Sequence, residues 1–480
     1  MEYSALKPEK VFTYFKEISQ IPRRSGQEKL IADYLEQFAH NHSLECMRDS
    51  ANNILIIKKA SEGFENHEPL ILQGHMDMVC VADEGKNIDF DKESVSIVVD
   101  GDYIKADGTT LGADNGIALA YMLAVLEDDE IAHPRLECLM TSSEEIGLMG
   151  AQAFEASRLT GRRMINLDSE EEYNMVAGCA GGITVNISLP IKRVSRRGMC
   201  YDLIIEGLQG GHSGADIDKH RANANILMAR ILKRLSERYV LYVSEWNGGD
   251  ADNAICNKCV SKFAVSVENA HGVERTIPQI VREFEEEYET CDPGIKVVLS
   301  KRGEGKVKAF SKKSLSELLF ILYAAPNGIV SMSGKVKGMV ETSLNCGIVK
   351  CDGMNVSIVY LIRSNVGSAK SDLANRVKVI AESVGARVRF ESDYPGWDFN
   401  VNSKLREIIL PIYKEHYGKD INVITIHAGL ECGIFAGRLE ELDVISIGPN
   451  LYDVHTINER ASISSIEKFW YYLIDILKAC

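Results

Sequence analysis

A histidine and an aspartate two positions apart close the apolar run in "LILQGHMDMV", where His75 and Asp77 follow Leu70 to Gly74. Side chains alternate along a strand, so His75 and Asp77 project from one face and Met76 and Met78 from the other. Four further stretches carry the same residue types at the ends of apolar runs. "TLGADNGIALA" sets Asp114 in a glycine-flanked loop before a helical pattern, and "LMTSSEEIGLMG" ends a strand pattern with Glu144 and Glu145. "MINLDSEEE" ends another with Asp168, and "SIGPNLYDVHTINER" carries His455 a few residues past a third. Two imidazoles and several carboxylates are the donors that zinc and similar divalent ions accept. Each stretch alone also reads as plain surface: a solvated strand end, a solvated turn, a helix cap at Asp114, a loop histidine. Together they favour a metal site, because ligands of open α/β sheets collect outside the carboxyl ends of the strands.

The elements that must position these residues are legible as a pattern. "NILIIKK", "LILQGHMDMV", "LECLMTSSEE" and "RMINLDSEE" alternate with helical stretches through "GIALAYMLAVLEDD" and near "GLMGAQAFEAS". Such alternation predicts an α/β domain with a mostly parallel central sheet. "LDVISIGPN" and the helix "SISSIEKFWYYLIDILKA" extend the same layer near the C-terminus. Ser25 followed by Glu28 predicts a capping box ahead of an amphipathic helix. Between these parts the strands are longer and alternating ("YDLIIEGLQGG", "SKFAVSVEN", "NVSIVYLIRSN"), with long amphipathic helices around "ANANILMARILKRLSERY" and "VERTIPQIVREFEEEY". The expected organisation is a catalytic α/β domain over residues 1–181 and 396–480, with an inserted α+β lid domain over 182–395. Segments starting at Asn253 and Asn345 share an asparagine, a short apolar piece, a turn and an alternating strand, which marks the insert as a candidate internal duplication.

Bulk properties narrow the function classes. A chain of 480 residues exceeds one ordinary core. A net charge of −15 argues against nucleic acid and anionic membrane surfaces as partners, since both require basic patches. No apolar run approaches the roughly 20 residues that span a bilayer, and the N-terminal residues lack the features of a signal peptide. Twelve cysteines without framework spacing suit a reducing cytoplasm. Cys256 and Cys259 in "CNKC" have metal-ligand spacing, but no second pair of that form follows.

"LILQGHMDMV", "DGTTLGADNGIALA", "SSEEIGLMGA", "INLDSE" and "DVHTINER" resemble, in order and spacing, the motifs of the di-zinc peptidase family that contains carnosinases, aminoacylases and bacterial dipeptidases. The likeness spans essentially the whole chain, including "GCAGG", "GLQGGHSGADI" and "HAGLECGIF". It implies two divalent ions, zinc first, with cobalt or manganese as alternatives. His75 and Asp168 would bind one ion, Glu145 and His455 the other, and Asp114 would bridge them, since a carboxylate has an oxygen for each. Asp77 would fix the ring of His75. Glu144 would be the general base for a metal-bridging water, with exchange of roles between Glu144 and Glu145 left open. His212 in "GGHSG" would stabilise the oxyanion, often from a partner subunit in relatives; without the resemblance it reads as a turn histidine. Asn253 and Arg363 are candidates to grip a substrate carboxylate, arginine through its bidentate fork, Gly429 could present backbone groups, and Glu431 could meet a free amino terminus. Arg363 and Glu431 also have plain structural readings.

The implied activity is hydrolysis of unblocked dipeptides, Xaa-His among them, by a cytoplasmic enzyme whose partner is a small peptide and whose assembly could be a homodimer. A duplicated insert would supply in cis what dimeric relatives take from a partner. The alternatives are an N-acyl-amino-acid hydrolase or deacetylase of the same fold, and a non-catalytic binding protein that retains it.

Overall fold

The computed structural model describes residues 3–480, which form two compact units. Unit 1 comprises the chain up to Gly178 with Trp397–Thr425 and Leu430–Cys480. Its main sheet has eight strands in the order Glu45–Arg48, Ile54–Lys58, Leu136–Thr141, Leu70–His75, Arg163–Asn166, Asp443–Ser446, Asn174–Cys179, Asn422–Ile426. The four from Leu136–Thr141 to Asp443–Ser446 run parallel. Their neighbours on either side pair antiparallel. Leu70–His75 and Leu136–Thr141 are buried along their whole length, which is why they read as continuous apolar runs instead of alternating ones. His75 lies opposite Thr141, and Gln73 opposite both Leu139 and Asn166. The segments that follow all three strands therefore leave one carboxyl edge.

The helix Ala113–Glu127 is buried from Asn115 to Leu126, as expected of a helix that is apolar all round. It packs on Leu70–His75, and Gly74 permits the approach: a Cβ there would lie 2.8 Å from the Ala118 Cβ. Tyr121 of this helix stacks on Trp470 of the helix Ile463–Ala479. The capping box does not form. The second helix starts at Lys29, and Glu28 gives it no side-chain cap. Glu28 is buried and accepts instead from Gly26 N, Ser143 N and Ser143 Oγ at 2.7–2.9 Å. A tertiary demand at the Ser142–Glu145 turn outcompetes local capping.

Unit 2 comprises Cys179–Gly396 and Ile426–Gly429. The second segment departs from the expected boundaries, which assign everything after residue 395 to the catalytic domain. The backbone explains it: Ala180 N donates to Ile426 O and Ala428 O, both at 3.1 Å. Eight strands of its antiparallel sheet follow the order Lys296–Phe310, Arg193–Glu206, Cys259–Val265, Tyr242–Gly248, Val340–Cys351, Asn355–Ser364, Gly181–Pro190, Arg387–Tyr394. Number the strands of each half along the chain, and both halves run fourth, first, third, second from the outer edge inward. Each half places a helix between its first and second strands and another between its third and fourth: Ala224–Arg238 and Ala270–Glu287 in one, Lys312–Ala324 and Gly367–Glu382 in the other. The halves meet where Gly248 pairs with Val349. Asn345 lies within a second strand while Asn253 follows one, so the two asparagine-led segments are not in register; the third strands downstream of them correspond. Among the described residues, no helix is long and apolar enough to cross a membrane.

Candidate active site

In unit 1 the five stretches singled out in the sequence converge. His75 ends its strand, and its Nδ1 donates to the Asp77 carbonyl at 3.1 Å. That bond fixes the tautomer: a neutral ring then has a bare Nε2. Nε2 nevertheless faces acceptors, Asp114 Oδ1 at 3.1 Å and Asp168 Oδ1 at 3.5 Å. The other oxygen of Asp114 lies 3.1 Å from His455 Nε2, which is also 2.7 Å from Glu145 Oε1. Donor atoms of His75, Asp114 and Asp168 lie within 4.8 Å of one another, as do those of Asp114, Glu145 and His455, and of His75, Glu144 and Glu145. Asp114 thus presents one oxygen to each histidine. The donor set fits a pair of divalent cations, which would take the place of the protons that the two rings share with the carboxylates.

The electrostatics agree. Burial tends to raise the Asp114 carboxyl, but hydrogen bonds from His455 and His75 outweigh it and hold the group well below the usual carboxylate range. The same bonds, to Asp114 and Glu145, lift His455 to about 11. Burial would lower His75, yet Asp168 and Asp114 push it up. Glu144 and Asp168 are pushed well up, chiefly by burial and then by neighbouring carboxylates, against the pull of His75.

Asp77 does more than the sequence suggests. It is fully buried, with Oδ1 at 3.4 Å from His75 Nδ1. Its two oxygens also accept from Glu144 N at 3.0 Å and Glu145 N at 3.2 Å. One carboxylate therefore sets both the imidazole and the glutamate turn. Glu145 is engaged by His455. The Glu144 carboxylate accepts no hydrogen bond among the described residues.

Unit 2 gathers His212, Ser213, Arg363, Tyr394 and Asn253. Ser213 N donates to Asn253 O at 2.8 Å. Ala215 N donates to His212 Nδ1 at 3.0 Å, so the proton of a neutral ring sits on Nε2. Burial and then the Arg363 charge lower His212 below the ordinary histidine value, which favours that neutral form. Nε2 faces Arg363 Nη2 at 3.1 Å, donor against donor. Arg363 is only 4% exposed, and its remaining contacts are neutral: Ser213 Oγ at 3.4 Å and Tyr394 OH at 3.1 Å. No carboxylate pairs with it among the described residues. A buried cation normally has a counter-charge. Gly429 backbone approaches the Tyr394 ring.

The family model for peptidase family M20/M25/M40 matches residues 71–479. The cytosol non-specific dipeptidase of Escherichia coli (strain K12) is 36% identical to this chain over 479 residues, 99% of each. The chain belongs to peptidase family M20/M25/M40. The solved aminoacylhistidine dipeptidase of Vibrio alginolyticus is 34% identical, with a TM-score of 0.93 over 100% of this chain and 98% of that one. The aminopeptidase PepT of Bacillus cereus, at 16% identity and a TM-score of 0.59 over 99% of each chain, shares the fold.

Glu431, read in this M20 chain both as a contact for a substrate amine and as a structural residue, has its two oxygens in different settings. Glu431 is fully buried, and its Oε2 accepts from Gln73 Nε2 at 2.5 Å and Thr141 Oγ1 at 2.6 Å. That oxygen braces two strand ends, while Oε1 is buried with no hydrogen-bond partner among the described residues. Burial raises it to about 7, with those two bonds working the other way. The sequence reading also passed over two buried residues that carry the cluster. Glu459 accepts from Leu111 N, Gly112 N, Ala113 N and Asp114 N at 2.7–3.3 Å. Arg23 donates to Met76 O at 3.0 Å, Asp77 O at 3.1 Å and Gly112 O. Gly112 has φ +70, and a Cβ there would meet the Arg23 Nη2 and, at 2.6 Å, the Met78 sulfur. Only the glutamate in "INER", beside His455 in the sequence, offered a hint. Cys256 and Cys259 form no metal group with other donors among the described residues; Cys259 is core, and Cys256 Sγ donates to Lys258 O at 3.2 Å.

Proposed function

We propose that this protein is a metal-dependent dipeptidase that hydrolyses short peptides with free ends. The observation that carries the proposal is the cluster in which His75 and His455 each turn a ring nitrogen toward one oxygen of Asp114. His75 and Asp168 would hold one ion, Glu145 and His455 a second, and Asp114 both. Two such ions would supply the positive charge that acidifies a water and polarises a scissile carbonyl. Glu144 takes the proton of the attacking water and returns it to the leaving amine, a role suited to a carboxylate with no bond to hold it. The His455–Glu145 contact supports Glu145 as the ligand of the adjacent pair and Glu144 as the base. Asp77 keeps both backbones and the His75 ring in place. His212 offers its Nε2 proton to an anionic atom of the substrate, and Arg363 with Asn253 and the Gly429 segment grips a carboxylate.

The names of the relatives favour a dipeptide substrate, with C-terminal histidine as one choice, over an N-acyl amino acid. The discriminating experiment is a panel of dipeptides and their N-acetyl forms on metal-depleted protein with zinc, cobalt or manganese restored singly. Hydrolysis of the unblocked peptides alone, dependent on added ion, is expected. Turnover that requires the acetyl group would replace the proposal with an acylase. The like strand orders of the two sheet halves support a duplicated lid. The anion cluster draws His212 from one half and Arg363 from the other, so we expect activity per subunit to hold when any dimer is diluted to monomer.

A further inference from the structure

Tyr394 ends the strand Arg387–Tyr394, and nothing in the sequence marks it as functional. Its side chain is set with unusual care. Gly182 is its partner in the neighbouring strand, and a Cβ at Gly182 would lie 2.6 Å from the ring carbons and from the hydroxyl oxygen. On the other edge, a Cβ at Gly429 would lie 2.9 Å from the ring. Two bare stretches of backbone thus clasp the phenol, and any larger residue at either would displace it. Lys370 anchors the strand end by donating to the Tyr394 carbonyl and, at 2.6 Å, to Asp393 Oδ1.

The position so enforced brings the hydroxyl oxygen to Arg363 Nη1 at 3.1 Å. A guanidinium can only donate, so the phenol oxygen accepts there and keeps its own proton to give. Burial holds the phenol above its ordinary value despite the neighbouring guanidinium, so it is protonated at neutral pH. If Tyr394 served only to prop Arg363, ring packing and an acceptor would suffice. The arrangement instead lines up three donors, the Tyr394 O–H, the Arg363 fork and the His212 Nε2–H, with no anion among the described residues to receive them.

We propose that Tyr394 is a substrate-binding residue whose hydroxyl donates to the same carboxylate that Arg363 grips, making this a two-residue clamp specific for a free C-terminus. The inference rests on the reading of the unit 2 cluster as a carboxylate site, and the test separates the two. Wild type and Tyr394→Phe are assayed with a dipeptide and with the same dipeptide ending in a carboxamide. Hydrogen bonds to charged groups are worth enough that KM for the dipeptide should rise about 10-fold to 100-fold in the variant, with kcat within about twofold. KM for the carboxamide should not move. An unchanged dipeptide KM, or a loss confined to kcat, overturns the role of Tyr394 while leaving the clamp by Arg363 intact. A wild type that fails to prefer the free acid overturns the carboxylate reading itself, and the clamp with it. Should Tyr394→Phe fail to fold, 3-fluorotyrosine placed at 394 keeps the shape and strengthens the donor. A lower dipeptide KM is then expected, and an equal or higher one refutes the proposal.

Discussion

The two clusters are electrical opposites. In unit 1 a histidine whose far nitrogen is held by a backbone carbonyl turns its near nitrogen toward carboxylate oxygens, which keep a proton on it when no cation is bound. In unit 2 a histidine whose tautomer is fixed by a backbone amide turns an N–H toward a guanidinium, donor against donor. Each arrangement names the sign of the ligand it would take: cations in place of the protons in the first, an anion facing the donors in the second. The lesson lies in the backbone bond on the far side of each ring. It decides which nitrogen holds the proton, and so which kind of ligand the near side accepts.

The largest effect should come from breaking the chemistry of unit 1 without touching its ligands. Glu144→Gln keeps the shape and the backbone bond to Asp77 but removes the proton acceptor. General-base contributions suggest a fall in kcat of about 10²-fold to 10⁴-fold. Metal content by elemental analysis should stay at the wild-type value. Full turnover in the variant would return the role to Glu145.

Next in size is the counterpart in unit 2. Arg363→Met removes the buried cation and relieves the donor–donor contact with His212. KM for an unblocked dipeptide should rise about 10-fold to 100-fold, as for loss of a charge-assisted pair, while metal content stays fixed. A variant that loses bound metal instead would show that the two clusters are not independent in the way their opposite charges imply.

How far each cluster was visible in the sequence follows from how its residues are placed. His75, Glu144, Glu145 and Asp168 stand just past buried apolar runs, and the parallel pairing of those runs brings their ends together; alternation and strand ends are local signals. Asp114 and His455 were found by their position beside a helix start and a strand. Glu459 and Arg23 gave no comparable signal, because their work is to satisfy backbone groups of loops distant in sequence, and any buried charged residue could do that. Glu28 shows the converse error. Its spacing from Ser25 matches a capping box, yet its carboxylate is spent on Ser143, 115 positions away. Glu431 was open to both a substrate-facing and a structural reading, because its neighbourhood in sequence carries no information on burial or on its bonds to Gln73 and Thr141.

The clusters should also differ in their response to pH. Asp114 and Glu145 hold His455 up to about 11, so across the neutral range a cation must displace its proton. Cation affinity should therefore rise with pH by about tenfold per unit for each proton released. Calorimetric titration with zinc in buffers of different ionisation enthalpy would count those protons, and a count of zero would contradict the geometry. Unit 2 should be flat over the same range. Burial and then the Arg363 charge push His212 below its usual value, so it gains no charge until the medium is acidic. KM for a dipeptide, measured at saturating metal, should then change far less between pH 6 and 8 than metal affinity does.

The smallest effect expected concerns support and not chemistry. Glu459 receives four backbone N–H groups from Leu111 to Asp114 on its two oxygens. Glu459→Gln keeps the volume and one oxygen, but its NH₂ would face two of those donors. Leaving buried donors unmet costs about 1–3 kcal/mol each, part of which the loop can recover by shifting. Because the loop ends in Asp114, the shift should move the one carboxylate shared by both histidines. The expected signature is a melting temperature lowered by a few degrees (about 2–4 °C per kcal/mol for a unit of this size), with zinc affinity reduced and the dipeptide KM at saturating zinc unchanged. That pattern would confine the damage to the acceptor-rich cluster. If Glu459→Gln raised KM as strongly as Arg363→Met, the loop would be positioning substrate as well as cation, and the division of labour between the two clusters would have to be redrawn.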